Sequence, residues 1–190
     1  MTTVTQARGR CAHNGCVLLA PYRLADGTQV VLRAIRDDDK ARLRSAFGRL
    51  SPESARLRFL SPKSRLSSAE LRYLTEVDGD DHVAIVAVLA HDPDFFVGVA
   101  RFVRWPDRPD AAEAAIVIGD PWQGQGLGRH MGLALADLAR THGVRRFTAS
   151  LLSDNRAAHR LFERISARLH AEHHHGVEEL VAELDAPLAA

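Results

Sequence analysis

A glycine-rich turn between a predicted strand and a predicted helix is the feature that most constrains the fold. The turn reads Gln123-Gly124-Gln125-Gly126-Leu127-Gly128-Arg129. Glycine at every second position lets the backbone bend tightly and approach a ligand closely, and the N–H groups that open the next helix carry partial positive charge. Such a turn is typical of a pyrophosphate cradle. A loop that needs glycine only to turn tightly is the alternative.

Two common phosphate-binding motifs do not fit this turn. No Gly-Lys-Ser/Thr follows the glycines, which excludes a P-loop. The dinucleotide fingerprint is excluded as well, because Gly126-Leu127-Gly128 would require a glycine at the position of Met131.

The pattern before the turn predicts helices followed by a meander. A strand over residues 28–36 precedes helices from Asp37 toward Leu50, over 51–60, and from the Ser67/Glu70 capping box to about Glu76. Three β-rich runs follow, over 82–90, 95–104 and 112–118, with turns predicted at Asp92-Pro93 and at 105–109. Connections this short favour antiparallel strands.

After the turn, the pattern alternates between helix and strand. A helix through His142 ends at Gly143, and a buried strand covers 145–152. A helix then runs from Asp154 to about Ile165, and two strands flank Gly176 within 168–184. The predicted order is β-α-α-β-β-β-α-β-α-β-β, an α/β fold with a mixed sheet.

Length and composition indicate one domain. The chain has 190 residues and 46% hydrophobic content, enough for one core. We expect an N-terminal arm of low order over 1–26, a single domain over 27–185 and a tail over 186–190. Two cysteines, no signal-peptide core and no apolar run of 18 residues favour a cytoplasmic protein with no membrane segment. The pattern does not decide between monomer and homodimer.

The net charge of +1 argues against nucleic acid as a partner, but it hides an asymmetry. The chain carries +5 through Asp80 and −4 after it. Between residues 42 and 72, only Glu53 and Glu70 stand against eight cations: Arg42, Arg44, Arg49, Arg56, Arg58, Lys63, Arg65 and Arg72. We expect this face to meet an acidic partner or the phosphates of a cofactor, with a merely solvated face as the alternative.

The turn resembles the acyl-CoA signature of a known family. Gln123-x-x-Gly126-x-Gly128 is similar to the Q/R-x-x-G-x-G/A motif of the GNAT N-acetyltransferases, and the resemblance covers roughly residues 28–184. It is strongest to bacterial protein-lysine acetyltransferases that act on acyl-CoA synthetases, in RLRFLSPKSRLSSAELRYLTEVDGDDHVAIVAV (56–88) and AEAAIVIGDPWQGQGLG (112–128). It implies the GNAT fold, a mixed, mostly antiparallel sheet with splayed central strands.

The resemblance also implies a site for acetyl-CoA. The main chain of Ile116, Val117 and Ile118 is expected to pair with the pantetheine amides. The pyrophosphate is expected to bind the amides of the turn, contributed by Gln123, Gly124, Gln125, Gly126, Leu127, Gly128 and Arg129. Asn155 stands where relatives bond the pantetheine arm, and a plain helix cap is its alternative role.

Glu113 is the expected catalytic base. A lysine ammonium has a pKa of about 10.4 and must lose a proton before it attacks a thioester. Glu113 is the only acid between Asp110 and Asp120, and it matches the glutamate base of the protein-acetyltransferase branch. A solvent-facing glutamate on an edge strand is the alternative. The backbone amide of Ile116 is the candidate to stabilise the oxyanion.

One position departs from the family pattern. Many relatives have a tyrosine that protonates the leaving thiolate, where this chain has Phe162, which has no proton to give. Tyr73 is the other candidate in the sequence.

The sequence therefore predicts transfer of an acetyl group from acetyl-CoA to a primary amine by direct attack, with a protein lysine as the favoured acceptor. Two rivals stay open: an acetyltransferase for a small amine or antibiotic, and a catalytically idle acyl-CoA-binding regulatory module. No metal is expected. Cys11-x-His13-x-x-Cys16 offers only three ligands, and His173, His174 and His175 are expected to be solvated.

Overall fold

The structure is a computed structural model that describes residues 21–184. Its strands are Tyr22–Arg23 (β1), Gln29–Ala34 (β2), His82–Leu89 (β3), Asp92–Trp105 (β4), Arg108–Ile118 (β5), Arg146–Leu152 (β6), Arg168–His174 (β7) and Val177–Glu183 (β8). Its α-helices are Lys40–Gly48 (α1), Pro52–Phe59 (α2), Ser68–Thr75 (α3), Leu127–Thr141 (α4) and Arg156–Ile165 (α5).

The predicted caps and breaks set most helix ends. Ser51 accepts a hydrogen bond from the Ser54 N–H, and Pro52 occupies the first turn of α2. Ser67 and Glu70 form the reciprocal capping box of α3. Gly143 adopts a φ of 79° just after α4, a conformation that glycine reaches without strain. Three α-helices precede strand β3, whereas the predicted order of elements has only two helices at that point.

The strands form one eight-stranded sheet in the order β1-β2-β3-β4-β5-β6-β8-β7. Every neighbouring pair is antiparallel except β5 and β6. The predicted mixed, mostly antiparallel α/β fold is confirmed, and the predicted meander corresponds to β3, β4 and β5.

Helices cover both faces of the sheet and create two apolar clusters. One contains α4 and α5 residues such as Met131, Leu135 and Phe162. The other contains α1 and α3 residues such as Leu43, Phe47 and Leu71. Side chains of the central strands alternate between the two clusters, as the pleat requires.

The predicted turn at Asp92-Pro93 is wrong by two residues. The chain turns at Ala90-His91, and Pro93 lies near the start of β4. Proline is tolerated there because a register shift disturbs the β3–β4 pairing next to it. The predicted helix from Asp37 also differs: residues 37–39 form a 3-10 turn, and α1 begins at Lys40.

The expected arm over 1–26 lies mostly outside the described residues, and the tail over 186–190 lies wholly outside them. Within 21–26, the structure places strand β1 against β2, with Tyr22 opposite Val30.

Candidate active site

A gap opens between the central strands β5 and β6. Their parallel pairing covers only residues 111–113 of β5 and ends where Glu113 meets Thr148. Beyond this point β6 continues against β8, whereas residues 114–118 of β5 keep a partner only in β4. The backbone of β5 is therefore exposed along one side of a wedge-shaped opening.

The hydrogen-bond pattern shows which backbone groups face the opening. The Gly119 N–H donates to the Val97 carbonyl on β4 at 2.8 Å, and the Arg145 N–H donates to the Asp110 carbonyl on the other side at 2.8 Å. Because antiparallel pairing alternates along a strand, the N–H and C=O groups of Ile116 and Ile118 face the gap. The N–H and C=O groups of Val117 face β4. The Val117 side chain lines a pocket on the face of the sheet that α1, α2 and α3 cover.

The glycine turn lies at the wide end of the gap. Gly124 and Gly126 have φ values of 73° and 89°, and Gly126 is the N-cap residue of α4. A Cβ on Gly126 would lie 3.0 Å from the Tyr22 hydroxyl oxygen, so a side chain there would have to displace that hydroxyl and adopt a strained φ. The first N–H groups of α4 have no partners within the helix, which makes this end suited to an anion.

The glutamines of the turn support its shape. Gln123 Nε2 donates to the Ile118 carbonyl at 3.0 Å and to Ser54 Oγ at 3.1 Å. Gln125 Nε2 donates to the Pro121 carbonyl at 2.8 Å. Their side chains therefore hold the loop against β5 and α2 and leave the backbone amides to a ligand.

Asp120 ties helix α2 to the end of β5. Its carboxylate accepts hydrogen bonds from the Ser51 N–H at 2.9 Å and from the Ser51 and Ser54 hydroxyls, both at 2.7 Å. Burial tends to raise the pKa of Asp120, but these hydrogen bonds outweigh it and hold that pKa below its usual value. Sequence reasoning missed this residue, and its one signal is its position two residues after the end of β5.

The Glu113 side chain lines a polar pocket of about 250 Å³. The pocket lies between β4, β5 and the helices α2 and α3, and its other lining residues are Arg58, Phe59, Glu70, Tyr73, Leu74, Arg101, Val103 and Ala115. Burial lowers the pKa of the Arg58 guanidinium, and the negative charge of Glu113 opposes that shift. Glu113 thus stands where the pairing of β5 with β6 ends, facing an open space.

A buried arginine forms the floor of this pocket. Arg101 Nη1 lies 3.1 Å from His82 Nε2, and Nη2 donates to the Leu74 carbonyl at 3.1 Å. Burial lowers the pKa of Arg101 to about 9, and the charge of Arg58 adds to the shift. Burial and the Arg101 charge also lower the pKa of His82 to about 4, so this imidazole is neutral at pH 7.

Comparison with known proteins identifies the family. The model of the acetyltransferase (GNAT) domain matches residues 29–168. The chain belongs to the GNAT acetyltransferase family.

Relatives place this GNAT domain near two named acetyltransferases. It is 33% identical over 135 residues to Acetyltransferase PA5475 of Pseudomonas aeruginosa, covering 70% of this chain and 72% of that protein. It is 34% identical over 148 residues to Acetyltransferase Pat of Mycolicibacterium smegmatis, covering 77% of this chain. That match spans 44% of the Pat protein, less than half of its length.

Solved structures confirm the fold. The GNAT domain of S. lividans PAT superposes with a TM-score of 0.78 at 30% identity, covering 87% of this chain and 96% of that one. The Salmonella typhimurium acetyltransferase yncA, solved with acetyl-CoA, superposes with a TM-score of 0.65 at 18% identity over 84% of this chain and 96% of that one. This protein is thus an acyltransferase with the GNAT fold.

Asn155 caps a helix in this GNAT domain. Its Oδ1 accepts a hydrogen bond from the Ala158 N–H at 3.1 Å at the start of α5. The helix-cap role that the sequence left open is therefore present, and it occupies the side-chain oxygen.

The two candidate proton donors lie in different places. Phe162 is 2% exposed and packs in the apolar cluster of α4 and α5. Tyr73 is 57% exposed and lines the pocket that contains Glu113, with its ring centroid 4.9 Å from that of His82. Of these two residues, only Tyr73 shares the pocket of Glu113.

The arginine-rich face of the helical half is less positive than its composition predicts. Arg42 pairs with Asp94 at 2.6 Å, Arg56 with Asp154 at 2.7 Å, and Lys63 with Glu70 at 2.6 Å. Three of the eight cations on that face are thus neutralised locally.

Other predicted features lie away from the site or outside the structure. The Cys11, His13 and Cys16 group lies outside the described residues. Within residues 21–184, no cluster of three or more His, Cys, Asp or Glu side chains could hold a metal ion. No helix in the same range is both long and apolar enough to cross a membrane. Of the three histidines, His173 approaches Glu178 at 3.2 Å and is 63% exposed.

Proposed function

We propose that this acetyltransferase transfers the acetyl group of acetyl-CoA to a primary amine, with Glu113 as the general base and a protein lysine as the favoured acceptor. The position of Glu113 carries the proposal. Glu113 is the last β5 residue paired with β6, and its side chain lines an open pocket beside the gap.

The gap and the glycine turn fit acetyl-CoA. The Ile116 carbonyl and the Ile118 N–H lie on the unpaired side of β5, where they can pair with the pantetheine amides. The amides of residues 123–129, with the exposed Arg129, offer an anion site for the pyrophosphate. When bound, acetyl-CoA supplies a thioester carbonyl. The Ile116 N–H is the donor we assign to the carbonyl oxygen of that thioester.

Glu113 makes the acceptor nucleophilic. A primary amine is mostly protonated at neutral pH because its pKa is about 10.4. The Glu113 carboxylate takes the proton, directly or through one water, as the amine attacks. Tyr73 is the phenol within the same pocket that can return a proton to the leaving group, since Phe162 is buried and has none to give.

The favoured acceptor follows from the relatives. Two of the similar proteins carry the name Pat, at 34% and 30% identity, in agreement with the resemblance to protein-lysine acetyltransferases. The pocket of Glu113 is open to the surface, where Tyr73 is half exposed, so a side chain from another protein can enter it. The two cysteines of the chain are Cys11 and Cys16, and this low cysteine content favours the cytoplasm as its compartment.

Glu113→Gln tests the base. We expect acetyl-CoA affinity within about twofold of the wild type by calorimetry, and turnover of a lysine peptide reduced at least 100-fold, the usual range for loss of a general base. Glu172→Gln, on the exposed strand β7, is the matched control and should keep full turnover. Unchanged turnover in Glu113→Gln would remove Glu113 as the base.

The rival functions give different results in the same assays. An idle binding module would bind acetyl-CoA in both forms and acetylate no amine. Mass spectrometry of a lysate incubated with labelled acetyl-CoA, with Glu113→Gln as the blank, identifies the acceptor. Label on small amines and none on protein would favour the small-molecule enzyme.

A further inference from the structure

Two arginines of the Glu113 pocket have no carboxylate partner among the described residues, unlike three arginines that precede them in the chain. Arg33, Arg42 and Arg56 each contact an Asp or Glu within 2.7 Å. Arg58 makes no hydrogen bond or ion pair with any residue in 21–184, and its guanidinium carbon lies 5.1 Å from the Phe59 ring centroid. Arg101 contacts only neutral acceptors in that range, His82 and the Leu74 carbonyl.

Keeping these cations in place is costly for the folded protein. Arg101 is 5% exposed and Arg58 is half buried, and burial lowers the pKa of both guanidinium groups. A buried charge without a counter-ion loses hydration that neutral partners restore only in part. An anion that enters the pocket recovers this energy.

The carboxylates of the pocket do not balance these charges. Glu70 is engaged by Lys63 at 2.6 Å and by the Ser67 N–H at 2.8 Å. Glu113 is then the only pocket carboxylate, among the described residues, with no ion pair. Two guanidinium groups against one free carboxylate leave the pocket positive, which repels an ammonium arriving alone.

We propose that Arg58 and Arg101 form a carboxylate-binding subsite, so that the acceptor brings a carboxylate close to the amine that is acetylated. This inference rests on the proposed function, in which the acceptor is a protein lysine. The carboxylate then belongs to an Asp or Glu next to that lysine. A guanidinium binds a carboxylate through two parallel hydrogen bonds, which also orients the acceptor. The bound carboxylate offsets the repulsion between the arginines and the incoming amine.

Matched peptides test the subsite. Three peptides that differ only in the residue next to one lysine, Glu, Gln or Lys, are compared by kcat/KM on the wild type, Arg58→Gln and Arg44→Gln. We expect the wild type to prefer the Glu peptide over the Gln peptide about tenfold, the size of one charge-assisted contact. The Lys peptide should be the poorest. Arg58→Gln should reduce the Glu-to-Gln ratio to within about twofold.

Arg44→Gln is the control because Arg44 is exposed on α1 and is no part of the pocket. It removes the same charge from the same half and should keep the tenfold preference. Arg58→Lys retains the charge without the planar guanidinium and should keep part of the preference for the Glu peptide. Because every comparison is a ratio on one enzyme, a general loss of folded protein does not change it. Arg101→Lys extends the test to the buried arginine.

Each result has a distinct consequence. Equal use of the Glu and Gln peptides by the wild type, or an unchanged preference in both Arg58→Gln and Arg101→Lys, overturns the subsite while leaving the lysine acceptor standing. Acetylation of free amino acids in place of the peptides supports the subsite and overturns the protein acceptor. Acetylation of none of these amines, with acetyl-CoA binding intact, overturns the proposed function and the inference with it.

Discussion

The two faces of the sheet differ in what they bury. Under α4 and α5, residues such as Leu127, Met131 and Leu135 are fully buried and apolar. The face under α1, α2 and α3 contains five of the six buried polar or charged residues of the described chain: Arg33, Asp39, Thr75, His82 and Arg101. Both pockets described above open on that second face.

The difference separates stability from chemistry. The α4–α5 face is packed as a closed apolar interior, in which each lost methyl group has a measurable effect. The opposite face keeps open space and charged groups beside β5, so its apolar side chains are expected to stabilise the fold less. The following substitutions measure that division, from the largest effect to the smallest.

Asp39→Asn should have the largest effect on stability. Asp39 is completely buried, and its carboxylate accepts from both terminal nitrogens of Arg33 at 2.7 and 2.9 Å. Breaking a buried pair leaves the guanidinium uncompensated, so we expect a loss of about 3–5 kcal/mol in the free energy of unfolding by urea denaturation. Asp37→Asn, exposed in the same 3-10 turn, should change it by less than about 0.5 kcal/mol.

The Arg33–Asp39 pair also predicts that the wild type loses stability at acid pH. Burial alone would raise the pKa of Asp39, but the hydrogen bonds from Arg33 and the Arg36 backbone outweigh it, so the folded pKa lies below its usual value. The stabilisation is therefore present above the unfolded pKa of about 3.9 and is lost as pH falls through the folded pKa. A stability profile that is flat across this window in the wild type would contradict the assignment.

Leu135→Ala and Leu50→Ala compare the two faces directly. Leu135 is fully buried on α4, and its truncation should cost about 2–5 kcal/mol by thermal or urea denaturation. Leu50 lines the apolar pocket of about 230 Å³ and is only partly buried, so its truncation should cost about 1 kcal/mol. Equal losses would show that the pocket face is as tightly packed as the other.

His159→Gln should have the smallest effect, and it depends on pH. His159 Nδ1 lies 3.0 Å from both oxygens of Glu178, the one buried charge on the α4–α5 face within the described chain. The Glu178 hydrogen bond raises the pKa of His159, and Glu163 and His173 lie around the pair. The stabilisation is full below the unfolded pKa of about 6.5 and is lost as pH rises through the folded pKa.

Because the His159 side chain is 31% exposed, we expect a contribution below about 1 kcal/mol. The measurement is the difference in unfolding free energy between the wild type and His159→Gln at pH 5.5 and at pH 9. His170→Gln, on the exposed strand β7, should show no such difference between the two pH values. A larger effect at pH 9 than at pH 5.5 would refute the pair.

Local signals in the sequence predicted the features that depend on neighbouring residues. The Ser67/Glu70 capping box, the end of α4 at Gly143 and the glycine turn all rest on conformations that a few adjacent residues determine. Glu113 lies on a strand, as predicted, and its proposed role as base comes from the family resemblance.

Features that depend on strand register could not be predicted. Arg101 interrupts the apolar run VGVARFV, which is the visible signal, but only the pairing of Arg101 with Ala115 places it on the face of Glu113. The sequence predicts that a helix starts at Asp37, but only the position of Arg33 on β2 shows that Asp39 is a buried counter-ion. The turn before β4 was misplaced because the register shift that admits Pro93 leaves no mark in the sequence.

The hydrogen bonds of Asp120 have a consequence for the entropy of the reaction. Asp120 follows the strand proposed to hold the donor, and it binds the first residues of the helix whose last turn carries Arg58. The spacing between the proposed donor site and the pocket of Glu113 is thereby set when the chain folds. The protein therefore needs no further ordering of these two elements when substrates bind, although the substrates still lose their own orientational freedom at each turnover.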